Sequence, residues 1–167
     1  MDLARRRRGR SWCAPHEAGA DLQAITYNIF RNKRFEALKL WGFAFSRLVR
    51  EQGGQLVWTE VRAGDIERAE ARDEDISGLV EQVARSGGMR VALLFNEQPG
   101  SVKVSCRTSQ WEPSVDASAV MARFGGGGHV RAAGALIQGD LADVRERVLD
   151  AARAALDAAK TRAPVSA

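Results

Sequence analysis

Two stretches in the middle of the chain restrict its fold more than anything else in it. MRVALLFNE, residues 89–97, and SVKVSCRTS, residues 101–109, are rich in β-branched and other apolar side chains and are separated only by a short loop that holds Pro99 and Gly100. Such residues suit a pleated, half-buried surface, and so short a loop makes the two segments a β-hairpin or a closely related strand pair. Alternation along the second segment sets Val102, Val104 and Cys106 on one side and Lys103, Ser105 and Arg107 on the other. The apolar side must be covered, and the flanking sequence offers the means. QLVWTEV, residues 55–61, alternates as a further strand, and a last strand is expected around Ala135 to Ile137. Apolar residues at helical spacing predict helices over 21–30 (Leu22, Ile25, Ile29, Phe30) and over 34–51 (Phe35, Leu38, Trp41, Phe45, Leu48, Val49), the latter ending at Gly53 and Gly54. A short helix and loop should begin at Ala63, and further helices are predicted over 75–85, 115–124 and 141–159. This order gives an α/β or α+β architecture in which a small mixed β-sheet is flanked by helices and preceded by connecting helices.

Charge has to be read by position. The formal net charge is +4, but residues 1–10 alone hold five arginines and one aspartate, which leaves 20 basic and 20 acidic residues in the remainder. The body is therefore neutral, and anion recognition within it must come from a focused local site and not from a general basic surface. The Arg5 to Arg8 run reads as a solvated basic tail. No run approaches the eighteen or so apolar residues of a membrane span, and no apolar stretch follows the arginines to make a signal peptide, so a cytoplasmic protein without a membrane is expected. Two cysteines, Cys13 and Cys106, are too few for a disulfide scaffold and wrongly spaced for zinc; both are expected reduced, with Cys106 packed in the core. The chain should divide into a basic tail over 1–18, a helical connector over 19–52, the sheet-bearing domain over 53–160 and a C-terminal tail over 161–167.

One segment is not explained by packing alone. Gly125, Gly126, Gly127 and Gly128 are followed at once by His129 and then by Arg131, Ala132, Ala133 and Gly134. Glycines let a ligand approach the backbone without interference from Cβ, and successive N–H groups turned to one side build an anion-binding nest. His129 and Arg131, two apart in an extended segment, would emerge on the same face and present an imidazole and a guanidinium to one phosphate. Arg107, with Ser105 beside it, could add charge and a hydroxyl to the same ligand; by itself that strand side would read as the solvated face of an edge hairpin.

KVSCRTS, then a short helix, then FGGGGHVRAAGA resembles the C-terminal DHH-associated domain of the DHH phosphoesterases, in the branch of the bifunctional oligoribonuclease and pAp phosphatase enzymes and the related cyclic-dinucleotide phosphodiesterases. The resemblance runs from about Ala20 to about Ala159, with the segment resembling the connection from the DHH lobe at its start. It implies that Gly125, Gly126, Gly127, Gly128, His129 and Arg131 bind substrate phosphate and nucleotide, while Arg107 with Ser105 holds the far end. It implies as partners short RNA, pAp or a cyclic dinucleotide, a separate DHH lobe, and a second copy of the chain. Two manganese ions belong to that other lobe. The only histidines here are His16 and His129, neither in a run with paired aspartates, so no metal ligand, cofactor or catalytic residue is expected in this chain and hydrolysis is not expected of it alone. The chain departs from the family pattern at Ser77, where an acidic residue is usual, and at Cys106, where an aliphatic one is. Two further readings stand beside this one: a stand-alone RNA- or nucleotide-binding module, and a tRNA-binding or dimerisation domain like the C-terminal domain of alanyl-tRNA synthetase.

Overall fold

The computed structural model describes residues 33–111 and 114–162. The expected basic tail, the helix over 21–30, Cys13 and the C-terminal tail beyond Arg162 lie outside the described residues. Contacts divide the chain after Arg34, and everything from Phe35 onward forms one unit.

In chain order the elements of that unit are α1 (Phe35–Phe45), β1 (Val49–Glu51), β2 (Leu56–Val61), α2 (Ala63–Ala69), α3 (Leu79–Val83), β3 (Val91–Gln98), β4 (Ser101–Thr108), α4 (Ala117–Ala122), β5 (Gly127–His129), β6 (Ala132–Gln138) and α5 (Leu141–Arg162). Among the described residues they make one open mixed sheet of order β1-β2-β3-β4-β6-β5, in which β2 and β3 run parallel and every other neighbouring pair is antiparallel. The expected hairpin is β3–β4, paired from Val91 with Thr108 to Gln98 with Ser101. It is not at the edge: β4 also pairs with β6, so β4 is an inner strand and its polar side is not that of an edge hairpin.

The helix predicted over 34–51 is cut short. α1 stops at Phe45, and Val49–Glu51 instead turns back as a strand against Leu56–Trp58. The reversal runs through Gln52, Gly53 and Gly54, with φ of 52°, 66° and 91°, a left-handed path that no helix follows. Arg47 helps to set the break: its guanidinium donates to both carboxylate oxygens of the buried Asp65 on α2, pinning the chain between α1 and β1. Leu48 and Val49 kept the helical spacing by coincidence. The buried stripe of α1 also differs from the predicted one. Ala37, Leu40, Trp41 and Ala44 face inward, while Phe35, Leu38 and Phe45 are exposed among the described residues. The helix predicted over 75–85 is interrupted as well. Asp73–Ile76 is a single 3-10 turn and α3 starts only after Gly78, whose φ of 89° breaks the path.

Two layers cover the sheet. On one face Leu56, Leu93, Phe95, Val104, Cys106, Ala133 and Ala135 pack with α4 and the inner side of α5, through Val120, Met121, Val148, Leu149, Ala152 and Leu156. Cys106 is packed as expected; burial pushes its thiol up to about 12, against the opposing pull of Arg107, so it has no reactive thiolate at neutral pH. On the other face α1, α2 and α3 cover β2 and β3, with Leu40, Trp41, Val61, Leu79, Val80 and Leu94 in one cluster and Val57, Val83, Met89 and Ala92 in the next. Among the described residues no helix is long and apolar enough to cross a membrane.

Candidate functional site

Among the described residues, the cover on that second face ends at β4. Register fixes what lies beyond, because residues directly opposite each other in neighbouring strands project to the same side. One row across the sheet reads Arg107, Ala132, His129; the next reads Ser105, Gly134, Gly127; a third reads Asn96, Lys103, Leu136. The structure thus brings Ser105, Arg107, Gly127 and His129 to one face, although 22 residues of chain separate Arg107 from His129. All four are exposed or half-buried. Arg107 and His129 stand two strand spacings apart, about 9–10 Å. Between and beside them lie only Ala132 and the facing glycines Gly127 and Gly134.

The four glycines are not equivalent, and the reason is the same alternation. Gly126 and Gly128 lie on the core side of the edge strand. A Cβ on Gly126 would collide with the carbonyl of Gly134 and with Ala135, and one on Gly128 with the carbonyl of Ala132 and with Ala133. Gly125 has φ 73° in the turn that leaves α4. Each of these three has a packing or backbone reason to be glycine. Gly127 has none: its φ is ordinary and a Cβ there would meet nothing within 4 Å. It projects onto the bare side, beside Gly134 and Ser105.

Two expectations are corrected here. The amides of the glycine run do not form one nest, because the N–H groups of Gly125 and Gly126 already donate to the carbonyls of Ala122 and Met121 at the end of α4. These carbonyls would otherwise be orphaned by the helix terminus, which is why the first two amides turn inward. Nor do His129 and Arg131 share an extended segment. Arg131 lies with Val130 in the two-residue turn between β5 and β6, and its Nη1 donates to the carbonyl of Ser109. The turn is tied down from both sides: Val130 O accepts from the Thr108 hydroxyl at 3.0 Å and from the Ala117 amide at 2.8 Å.

Sequence reasoning missed Glu81. Its Oε1 accepts from Arg107 Nε at 3.2 Å and Nη2 at 2.7 Å, and Arg107 Nη1 donates to the Cys106 carbonyl at 2.9 Å. α3 therefore holds the guanidinium at the rim of the bare face, where it retains exposure to a ligand. The pair is 26 residues apart in sequence, so no local pattern could reveal it. Among the described residues no group of three or more His, Cys, Asp or Glu side chains is placed to hold a metal ion. What the arrangement can do is grip an anion: a flat, uncluttered stretch of backbone between a guanidinium, a hydroxyl and an imidazole.

A family model described as the DHHA1 domain matches residues 53–159. The chain belongs to the DHHA1 family. This is the DHH-associated domain of the DHH-family phosphoesterases, and the match embraces every strand from β2 to β6 together with the glycine run. Among curated proteins the chain is 36% identical over 118 residues to the bifunctional oligoribonuclease and PAP phosphatase NrnA of Thermus thermophilus, an alignment that covers 69% of this chain and 33% of that protein. The chain thus spans about a third of the length of the curated relative it matches. An exopolyphosphatase-related protein from Bacteroides fragilis superposes with a TM-score of 0.73 at 18% identity, covering 87% of this chain and 41% of that one, a likeness of fold. A pGpG-specific phosphodiesterase from Vibrio cholerae gives a TM-score of 0.49 at 16% identity, over 83% of this chain and 48% of that one.

Proposed function

We propose that this DHHA1 domain grips the phosphate of a nucleotide ligand, one of short RNA, pAp or a cyclic dinucleotide, on the bare side of β4, β6 and β5. Gly127 and Gly134 form the floor against which the phosphate rests. Arg107, oriented by Glu81, supplies a guanidinium at one margin; Ser105 donates a hydroxyl; His129 supplies an imidazole at the other. Hydrolysis in this reading belongs to a manganese-bearing DHH lobe, which would approach the same face and find the scissile phosphate presented beside His129. The domain's contribution is binding and positioning, with the imidazole able to stabilise charge that develops there.

The observation that carries the reading is Gly127. Packing and backbone geometry account for its three neighbours, and nothing among the described residues accounts for it; close approach of a ligand to the backbone does. The neutral body of the chain supports the same conclusion, since a focused site is what it leaves for anion recognition. Isothermal titration of pAp and of a short oligoribonucleotide tests the reading. Arg107→Ala and His129→Ala should each weaken binding about tenfold or more, the loss that follows from removing a charge-assisted hydrogen bond, with the thermal midpoint nearly unchanged. Unaltered affinity in both variants would refute the site.

A further inference from the structure

α1 is apolar around more of its circumference than the domain buries. Among its eleven residues only Glu36 and Lys39 carry polar side chains. A helix apolar nearly all round is ordinarily covered on more than one side, yet the stripe buried here is that of Ala37, Leu40, Trp41 and Ala44. A second stripe runs beside it through Phe35, Leu38, Gly42 and Phe45, at steps of three, four and three residues, the spacing of one helix face. Among the described residues this second stripe is largely open: Phe35 is 70% exposed, Leu38 52% and Phe45 42%. Its rings are held in place all the same. Phe45 makes an edge contact with Trp41 at 6.2 Å between ring centroids, and the Lys39 ammonium lies 6.0 Å from the centre of the Phe35 ring.

Gly42 is the misfit in this stripe. Glycine weakens a helix interior more than any residue but proline, and packing does not call for it, since a Cβ there would meet nothing within 4 Å. It leaves a notch one turn away from Leu38. The stripe also reads alike from both ends, because its steps are unchanged on reversal and an aromatic ring closes it on either side. Laid antiparallel against a second copy of itself, it sets Phe35 opposite Phe45 and Leu38 opposite Gly42, so each leucine meets a notch. A two-fold interface demands this kind of self-complementarity. Charge favours the same direction. Lys33 and Arg34 immediately precede α1, and its last turn has no basic side chain. A helix dipole disfavours cations at its N-terminus and favours them at its C-terminus, and antiparallel pairing carries each copy's two cations to the other's C-terminal end.

We infer that the outer stripe of α1 is a homodimer contact: two copies of this chain pack these stripes antiparallel, with Leu38 of each seated on Gly42 of the other. The stripe offers roughly 300–400 Å² of apolar surface on each copy, the size of patch that marks an interaction site. That area is short of the roughly 800 Å² per partner of a standard stable interface, so the pairing is weak, with a Kd on the order of tens of micromolar. α1 belongs to the cover over β2 and β3, and the contact makes no use of β4, β6 or β5. The inference therefore stands independently of the phosphate site.

Sedimentation equilibrium of the full chain from about 5 µM to about 1 mM tests this. Wild type should pass from monomer to dimer across that range. Leu38→Glu, at an exposed position, should stay folded by circular dichroism and remain monomeric throughout. Gly42→Leu should move two readouts in opposite directions. The thermal midpoint of the dilute monomer should rise, because a better helix former replaces glycine, while dimerisation should weaken about tenfold or more, because the notch is filled. Cross-linking in a Cys13→Ser background reads the direction of pairing: a mixture of Phe35→Cys and Phe45→Cys proteins should form a disulfide on mild oxidation faster than either protein alone. A dimer that both Leu38→Glu and Gly42→Leu leave intact, or cross-linking no faster in the mixture, overturns the inference. A wild type that stays monomeric overturns it too, and protection of its Leu38 methyl signals from a soluble paramagnet would then assign the stripe to another segment of the chain.

Discussion

The same face of the sheet is built in two ways. Over β2 and β3 it is a packing surface, with Val57, Val61, Ala92 and Leu94 buried under α1, α2 and α3. Over β4, β6 and β5 the positions that continue those rows are Lys103, Ser105, Arg107, Ala132, Gly134, Gly127 and His129, polar or very small, with the exposed Leu136 as the one large apolar side chain among them. Both halves share one backbone and one twist, so the difference lies wholly in side chains. Where large apolar groups end, helices have nothing to bury and the sheet stays open; where small groups replace them, a ligand can reach the backbone. Function occupies the half on which hydrophobic burial has been relinquished.

Neighbouring residues on β4 give the sharpest way to break this contrast. Val104, fully buried, faces the core and Ser105 faces the open side. Val104→Asp should unfold the domain by burying an unpaired charge, whereas Ser105→Asp should leave a folded domain that no longer binds phosphate. Circular dichroism and titration separate the outcomes, and a well-folded Val104→Asp protein would show the register to be wrong.

A smaller effect tests the covered half. Asp65 is buried on α2; burial by itself would raise its pKa, but the hydrogen bonds from Arg47 and from the Arg62 amide, with the charges of Arg47 and Arg68, outweigh that and lower it below its ordinary 3.8. A lowered carboxylate stabilises the fold in full above its unfolded value and loses that contribution as pH falls through the folded one. Asp65→Ala should therefore destabilise by roughly 3 kcal/mol at neutral pH and should flatten the decline in stability below about pH 4. Because Asp65 is remote from the open half, pAp affinity of the folded variant should not change; a large change would mean that the two halves are coupled.

The smallest expected effect sharpens the comparison within the glycine run. Gly126→Ala should cost about 1–3 kcal/mol through overpacking, read as a lower denaturant midpoint. Gly127→Ala should be near neutral for stability, within about 0.5 kcal/mol, yet weaken pAp binding. Equal behaviour of the two variants would remove the case for a ligand at Gly127.

The two core strands of this fold were legible because β-branched alternation and a two-residue loop leave little else for residues 89–109 to do. α5 was legible because Leu141, Val144, Val148, Leu149, Ala152 and Leu156 fall at helical spacing along one face. The end of α1 was not, since Leu48 and Val49 extend the helical spacing and the interactions that stop it, Arg47 with Asp65 and the left-handed turn through Gln52, are respectively distant in sequence and conformational. At the candidate site Ser105, Arg107, Gly127 and His129 were readable as residue types worth attention, and the structure brings them to one face. Arg131 was misread because the two-residue turn Val130–Arg131, between His129 and Ala132, carries neither the glycine nor the asparagine that usually marks a tight hairpin. Glu81 left no trace, as it acquires its meaning from Arg107, a partner that only the folded sheet brings beside it.

The alternation of the glycine run has a consequence for how this segment can change. Odd-numbered positions point outward and even-numbered ones inward, so the run works by parity. Insertion or deletion of a single glycine would turn the imidazole into the hydrophobic layer and set a packing residue in its place. A two-residue change would preserve the outward direction of the histidine and alter only its reach, so variation in the length of this loop is tolerable in steps of two and not in steps of one.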